Sequence, residues 1–166
     1  MRALFPGTFD PPTNGHLDLL ARLVNLCESV VVVVGVNGGK KPLFSVDERV
    51  KLLRECCQQW PNVEVISWAG LMVEAAHSVQ AQVIVRGVRD SSELASELAM
   101  AQLNRELGGI ESLLLPARAE LIAISSSAVK EINTAGGDVT NFVPPMVLMA
   151  LQRKKSSSIL TAGYGE

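Results

Sequence analysis

No apolar run in this 166-residue chain approaches the ~20 residues that span a bilayer; the longest, around Val30 to Val34, is far shorter. Arg2 and Pro6-Gly7 bracket just three apolar residues, so no secretory leader is expected. Cysteine is scarce. Cys27, Cys56 and Cys57 form an odd set without CxxC spacing, which argues against a disulfide framework or zinc site and fits a reducing cytoplasm. These thiols are expected in or beside the helical core. Basic residues are not in excess: 15 Lys and Arg stand against 17 Asp and Glu. That balance argues against a protein whose main task is coating nucleic acid, while leaving its cations free to converge on a small anion. The dinucleotide fingerprint GxGxxG is missing after the first strand, and so is the phosphate loop GxxxxGK[ST]. Gly35 to Lys41 comes near it, one residue short and with Lys in place of the metal-binding hydroxyl.

What is present is a compact globular composition, 48% hydrophobic and 19% charged, with the length of one domain. Short apolar strands alternate with amphipathic helices. Ala3 to Phe5 reads as a strand, and His16 to Cys27 as a helix with Leu17, Leu20, Leu23, Val24 and Cys27 on one stripe. The unbroken valine run from Ser29 to Val36 marks a strand covered on both faces, the habit of parallel sheets. Ser45 and Glu48 have capping-box spacing and open a helix to about Gln59. Strands at 63–67, 83–85 and 112–115 follow, with helices at 71–79 and 92–107, the latter ended by Gly108-Gly109. Ser125 to Ser127 begins another helix and Pro145 a last one. The segment 155–166 is rich in Ser and Gly and is expected to be a flexible tail to a single domain over 1–154. Five strand-then-helix units imply an α/β fold, a Rossmann-like doubly wound parallel sheet with right-handed crossovers. In such a sheet the ligand sits at the carboxyl ends of the strands, near the reversal of strand order. Four polar, glycine-rich or basic loops fall there: the opening loop, 37–42, 86–89 and the loop before Ser125.

The opening loop, GTFDPPTNGH, holds the chemistry. Gly7 lets a ligand approach the backbone, and Thr8 adds a hydroxyl beside exposed amides. His16 lies in the first turn of the first helix, where backbone donors and the helix dipole favour an anion and an imidazole can donate to a phosphate oxygen. Gly15, without a Cβ, leaves room for a nucleotide. On its own, so short a match is equally the sequence of a tight turn with His16 capping a helix.

Other blocks extend the match. GTFDPPTNGH, Lys40-Lys41-Pro42 with Phe44, Glu48-Arg49, Arg86-Gly87-Val88-Arg89, Asn104-Arg105, Ile124-Ser125-Ser126-Ser127 with Val129-Lys130-Glu131, and Gly137-Asp138-Val139 with Phe142 and Pro144 stand in one order along residues 2–152. In this the chain resembles the TxGH/HxGH nucleotidyltransferases, in particular the phosphopantetheine adenylyltransferase family. The resemblance implies transfer of AMP from ATP to 4′-phosphopantetheine, giving dephospho-coenzyme A and pyrophosphate, with Mg²⁺ accompanying ATP and no covalent enzyme intermediate. Chemistry of that kind needs positioning and charge stabilisation, hence donors and cations without a nucleophile–base pair.

The resemblance implies these roles. His16, Lys40 and Arg86 are catalytic: His16 stabilises charge at the α-phosphate, Lys40 bridges the acceptor phosphate and ATP, and Arg86 binds the acceptor phosphate. ATP contacts come from Thr8, Phe9, His16, Gly87, Arg89, Glu97, Ile124, Ser125, Ser126 and Ser127; acceptor contacts come from Thr8, Lys40, Met72 and Arg86; no metal-ligating residue is implied. A homohexamer and binding of coenzyme A as a feedback inhibitor are expected by the same analogy. The chain departs from the family at Glu93-Leu94-Ala95-Ser96-Glu97, where two aromatics are lost at Leu94 and Ser96, and at Leu121, where Trp is common. Those losses keep open a related nucleotidyltransferase acting on nicotinate mononucleotide or a small alcohol phosphate, and a member that binds nucleotide without turnover. A nonenzymatic nucleotide-binding or flavodoxin-like module is the rival of a different class, but it would need no strand-end array of His16, Lys40, Arg86 and Arg89.

Overall fold

The computed structural model describes residues 1–36 and 42–162, with side chains up to 156. Five parallel strands form one sheet in the order β3-β2-β1-β4-β5: β1 Arg2–Gly7, β2 Ser29–Gly35, β3 Val63–Trp68, β4 Val83–Val88 and β5 Glu111–Pro116. The helices are α1 Asn14–Leu26, α2 Val46–Cys57, α3 Met72–Ser78, α4 Ser91–Gly108, α5 Ser126–Thr134 and α6 Pro145–Ala162. This is the doubly wound α/β sheet expected from the alternation of strands and helices. α6 carries helical backbone beyond residue 155.

Side-chain alternation along the strands divides the core into two layers. Ala3, Phe5, Val30, Val32, Val34, Val83 and Val85 face a cluster built with Leu20 and Leu23 of α1, Leu53 and Cys56 of α2, and Val147 and Leu151 of α6. Leu4, Val31, Val33 and Ile84 face the opposite way, onto Val73, Ala75 and Ala76 of α3. The valine run is buried on both faces because β2 lies between β1 and β3 with helices above and below. All three cysteines are buried free thiols. Burial pushes the Cys56 thiol up to about 12 and that of Cys57 to about 11, so neither is reactive.

Local signals set the helix ends. Ser45 and Glu48 form the reciprocal capping box that opens α2, and Gly109 ends α4 in the left-handed conformation, φ 63°. Along α4 only Asn104 is buried, while Leu98, Met100, Leu103 and Leu107 are exposed.

The sheet order positions the site. From β1 the chain runs outward through β2 to β3, then returns to place β4 on the other side of β1. β1 and β4 pair only at Ala3↔Val83 and Leu4↔Ile84, although both strands run on to Gly7 and Val88. Their carboxyl ends splay apart. A crevice opens at the reversal of strand order, where doubly wound sheets hold their ligands.

Candidate active site

The crevice is a cavity of about 640 Å³. It lies between the loop after β1, the end of β4, the first half of α4 and the start of α5. Thr8, Phe9, His16, Arg86, Gly87, Arg89, Glu97, Ile124, Ser125, Ser126 and Ser127 all line it, so residues spread over 120 positions of sequence converge on one space. Met72 does not line it; it packs against the apolar layer beside α3. Lys40 lies outside the described residues.

His16 occupies the third position of α1, and its ring takes part in the cap. Nδ1 accepts the backbone N–H of Thr13 at 3.0 Å and lies 3.0 Å from the Thr13 hydroxyl, while the His16 amide donates to that hydroxyl at 3.4 Å. This is a capping box with imidazole in the position usually held by Glu. An Nδ1 that accepts leaves the proton on Nε2, so the neutral ring has one donor remaining. Burial, and then the nearby charges of Arg89 and Arg86, lower its pKa to about 4. The ring is therefore neutral at pH 7. Capping, one of two alternatives when the loop is read alone, occupies one nitrogen and leaves the other free to donate to a phosphate.

Phe9 shapes the pocket from beneath. It is buried, with φ 50°, and its ring meets His16 edge-on at 5.0 Å between centroids and Phe5 at 5.8 Å. A Cβ on Gly7 would stand 2.8 Å from the Phe9 ring. Gly7 therefore admits an aromatic ring of the protein itself, a different reason for glycine from ligand approach. Gly87 behaves alike: a Cβ there would lie 2.3 Å from Leu19 of α1.

Arg86 fills the gap between the splayed strands. It donates to the Pro6 carbonyl at 2.6 Å and makes a two-pronged pair with Glu97 at 2.7 and 2.9 Å. Arg89 pairs with Glu93, Nε to Oε1 at 3.0 Å, and that bonding holds the Glu93 carboxyl below its ordinary range. Glu93 and Glu97 point into the crevice, one helical turn apart on α4. Leu94 and Ser96, where the aromatics are lost, are exposed and do not line it. Leu121, in a single 3-10 turn over 119–121, does line it.

At α5 the three serines diverge. Ser125 caps the helix through Ala128 N–H, Ser126 donates to the Pro11 carbonyl at 2.8 Å, and Ser127 has no protein partner among the described residues. Two hydroxyls thus build the helix start and tie it to the opening loop, and the third remains available. The first-turn amides of α5 open on the same space, a favourable place for an anion.

Four charged residues given no site role from the sequence also line the cavity: Asp10, Arg49, Glu93 and Lys130. Asp10 is 2% exposed. Its carboxylate accepts the amides of Leu43 and Phe44 at 2.9 and 2.8 Å and pairs with Lys130 at 3.0 Å. Burial would raise its pKa, but the two amide bonds and Lys130 prevail and hold it below the ordinary carboxylate value. Asp10 could have been found in the sequence as the one acid in a loop read as an anion site. Arg49 carried its own signal, a cation in the first turn of a capped helix, against the dipole.

A family profile described as cytidylyltransferase-like matches residues 4–132. The chain is 45% identical over 153 residues to the phosphopantetheine adenylyltransferase of Streptomyces coelicolor, covering 92% of this chain and 96% of that protein. It is 43% identical over 155 residues to the enzyme of the same name from Actinobacillus succinogenes, with 93% and 96% covered. Among solved structures, a Vibrio parahaemolyticus protein described as a nicotinate-nucleotide adenylyltransferase shares the fold at TM-score 0.69, with 16% identity over 92% of this chain and 91% of that one.

Proposed function

This chain belongs to the phosphopantetheine adenylyltransferases of the cytidylyltransferase-like family, and from that membership we propose that it transfers AMP from ATP to 4′-phosphopantetheine, releasing pyrophosphate and dephospho-coenzyme A. The observation that carries the reading is the convergence of the His16 Nε2–H, Arg86, Arg89 and the α5 amino end on one crevice at the reversal of strand order. The curated relatives do not favour the alternatives of a different acceptor or a member without turnover.

The reaction is a direct displacement. An oxygen of the acceptor phosphate forms the new bond to the α-phosphorus as the bond to the bridging oxygen of pyrophosphate breaks. No side chain needs to become covalently attached, so the protein supplies position and charge. His16 donates from Nε2 to an α-phosphate oxygen, a neutral donor whose contribution grows as charge spreads there. Arg86 holds the acceptor phosphate and is itself oriented by Glu97 and the Pro6 carbonyl. Arg89, the α5 amides and the free Ser127 hydroxyl hold the ATP phosphates, with Thr8 and Lys40 reaching over both substrates. Mg²⁺, as part of the MgATP substrate, would neutralise part of the phosphate charge. Each carboxylate lining the crevice is already paired with a cation, which fits a metal ligated by the phosphates.

Coenzyme A carries both product halves and competes for the same crevice. The apolar residues left exposed on α4, with Leu113 on β5, support self-association; the homohexamer itself comes from family analogy. Three buried free thiols support a cytoplasmic setting. Among the described residues no helix is long and apolar enough to cross a membrane.

Pyrophosphate release from MgATP, measured in parallel with phosphopantetheine and nicotinate mononucleotide, tests the reading. Turnover confined to phosphopantetheine is the expected result. Folded protein that binds ATP and yields no product with phosphopantetheine would overturn it.

A further inference from the structure

The charged residues lining the crevice are four cations, Arg49, Arg86, Arg89 and Lys130, and three carboxylates, Asp10, Glu93 and Glu97. Three pairs account for most of them: Arg86 with Glu97, Arg89 with Glu93 and Lys130 with Asp10. Arg49 is left over. It is 3% exposed, and no carboxylate among the described residues pairs with it. It also stands in the first turn of α2, where the helix dipole opposes a positive charge.

Its partners are backbone carbonyls. Nη1 donates to Thr8 O at 2.8 Å and Gly35 O at 3.3 Å, and Nε to Phe44 O at 3.1 Å and Ser45 O at 3.4 Å. Thr8 belongs to the opening loop. Gly35 ends β2 just before the segment bearing Lys40, and Phe44 and Ser45 follow that segment. One guanidinium thus ties both flanks of the Lys40 segment to the Thr8 loop, and Asp10 holds the same flank through the Leu43 and Phe44 amides.

A buried charge without a counter-ion is costly, and an apolar side chain of similar volume would avoid that cost. The position makes sense if an anion completes it. Resting on the adenylyl-transfer reading above, we infer that Arg49 is a positioning residue of this site and that the bound phosphates serve as its counter-ion. Its fork sets the Thr8 loop against the backbone of Gly35, Phe44 and Ser45. Its charge, with no carboxylate partner among the described residues, favours an anion in the crevice.

The test uses Arg49→Met and Arg49→Lys in the full-length enzyme, with wild type in the same pyrophosphate-release assay and thermal melting to confirm folding. Arg49→Met removes charge and fork together. It should raise KM for MgATP about 10-fold, the size of one charged hydrogen bond, and lower kcat about 10²-fold through misplaced loops. Arg49→Lys restores the charge without the fork, so KM should return to within about 3-fold of wild type while kcat stays low. Folded Arg49→Met with wild-type kcat and KM would show that Arg49 only fills the core. A wild type that releases no pyrophosphate removes the premise itself. Should Arg49→Met fail to fold, wild-type protein labelled with ¹⁵N-arginine is titrated with inorganic triphosphate. The Arg49 Nε resonance, assigned through its contacts to Phe44, should shift and exchange more slowly with water; no change at saturation overturns the inference.

Discussion

Replacing His16 with Gln separates the two roles of its ring. Gln is at home in the third position of a capping box and can accept the Thr13 N–H that Nδ1 now takes at 3.0 Å. Its amide N–H can swing near the place of the Nε2–H but is not held there, because the donor no longer sits on a ring fixed edge-on against Phe9. Loss of one preorganised donor to developing phosphate charge costs about 2.7–4 kcal/mol of transition-state stabilisation, or 10²–10³ in kcat. Loss of the cap, which only His16→Ala adds, costs about 1 kcal/mol of folding stability, roughly 2–4 °C in Tm at this size. Melting near wild type with kcat depressed 10²–10³-fold is therefore expected for His16→Gln, and both changes for His16→Ala. The acid side gives a second reading. The folded pKa of about 4 lies below the unfolded 6.5, so the unfolded chain protonates first as pH falls. The stabilising contribution is complete above about pH 6.5 and is drawn down toward pH 4, by at most about 3 kcal/mol. His16→Gln should flatten that part of the stability–pH curve in urea unfolding. Wild-type kcat in His16→Gln, or an unchanged pH curve, would refute the assignment of separate roles to the two nitrogens.

Asp10→Asn should cost about 2–4 kcal/mol in urea unfolding at pH 7. The new amide can accept only one of the Leu43 and Phe44 N–H groups, turns a donor toward the other, and leaves Lys130 unpaired; a loss under 1 kcal/mol contradicts this accounting. The wild-type carboxylate is held below its ordinary pKa, so its contribution is present above about pH 4 and lost as pH falls further. Gly7→Ala sets a methyl 2.8 Å from the Phe9 ring, which is confined by Phe5 and His16. Overpacking of about 1–3 kcal/mol, with a weaker KM for MgATP, is expected by thermal melting and steady-state kinetics; unchanged values would mean that the ring has room to move.

Most of the fold was legible because its signals are local. The valine run of β2, the Ser45–Glu48 box and the glycine after α4 each depend on neighbours a few residues away, and each stands where the pattern places it. The site was legible as a set of polar strand-end loops, since a doubly wound sheet turns those ends to one side. Pairing was not. Nothing local says that Glu97 will grip Arg86, that Ser126 will bond Pro11 across 115 residues, or that Gly7 serves Phe9.

The alternation of strands and helices, the caps that start and stop them, and the donors carried on the loops are all written in the order of the residues. These follow from periodicity and short-range hydrogen bonding, which act within a few residues. That β4 returns beside β1 and splays from it is a property of the packed fold. That placement draws seven charged side chains from distant segments into one crevice, and it determines which of them cancel. Charge balance is a sum over neighbours in space, and it leaves Arg49 as the one cation of that set with no carboxylate to answer it.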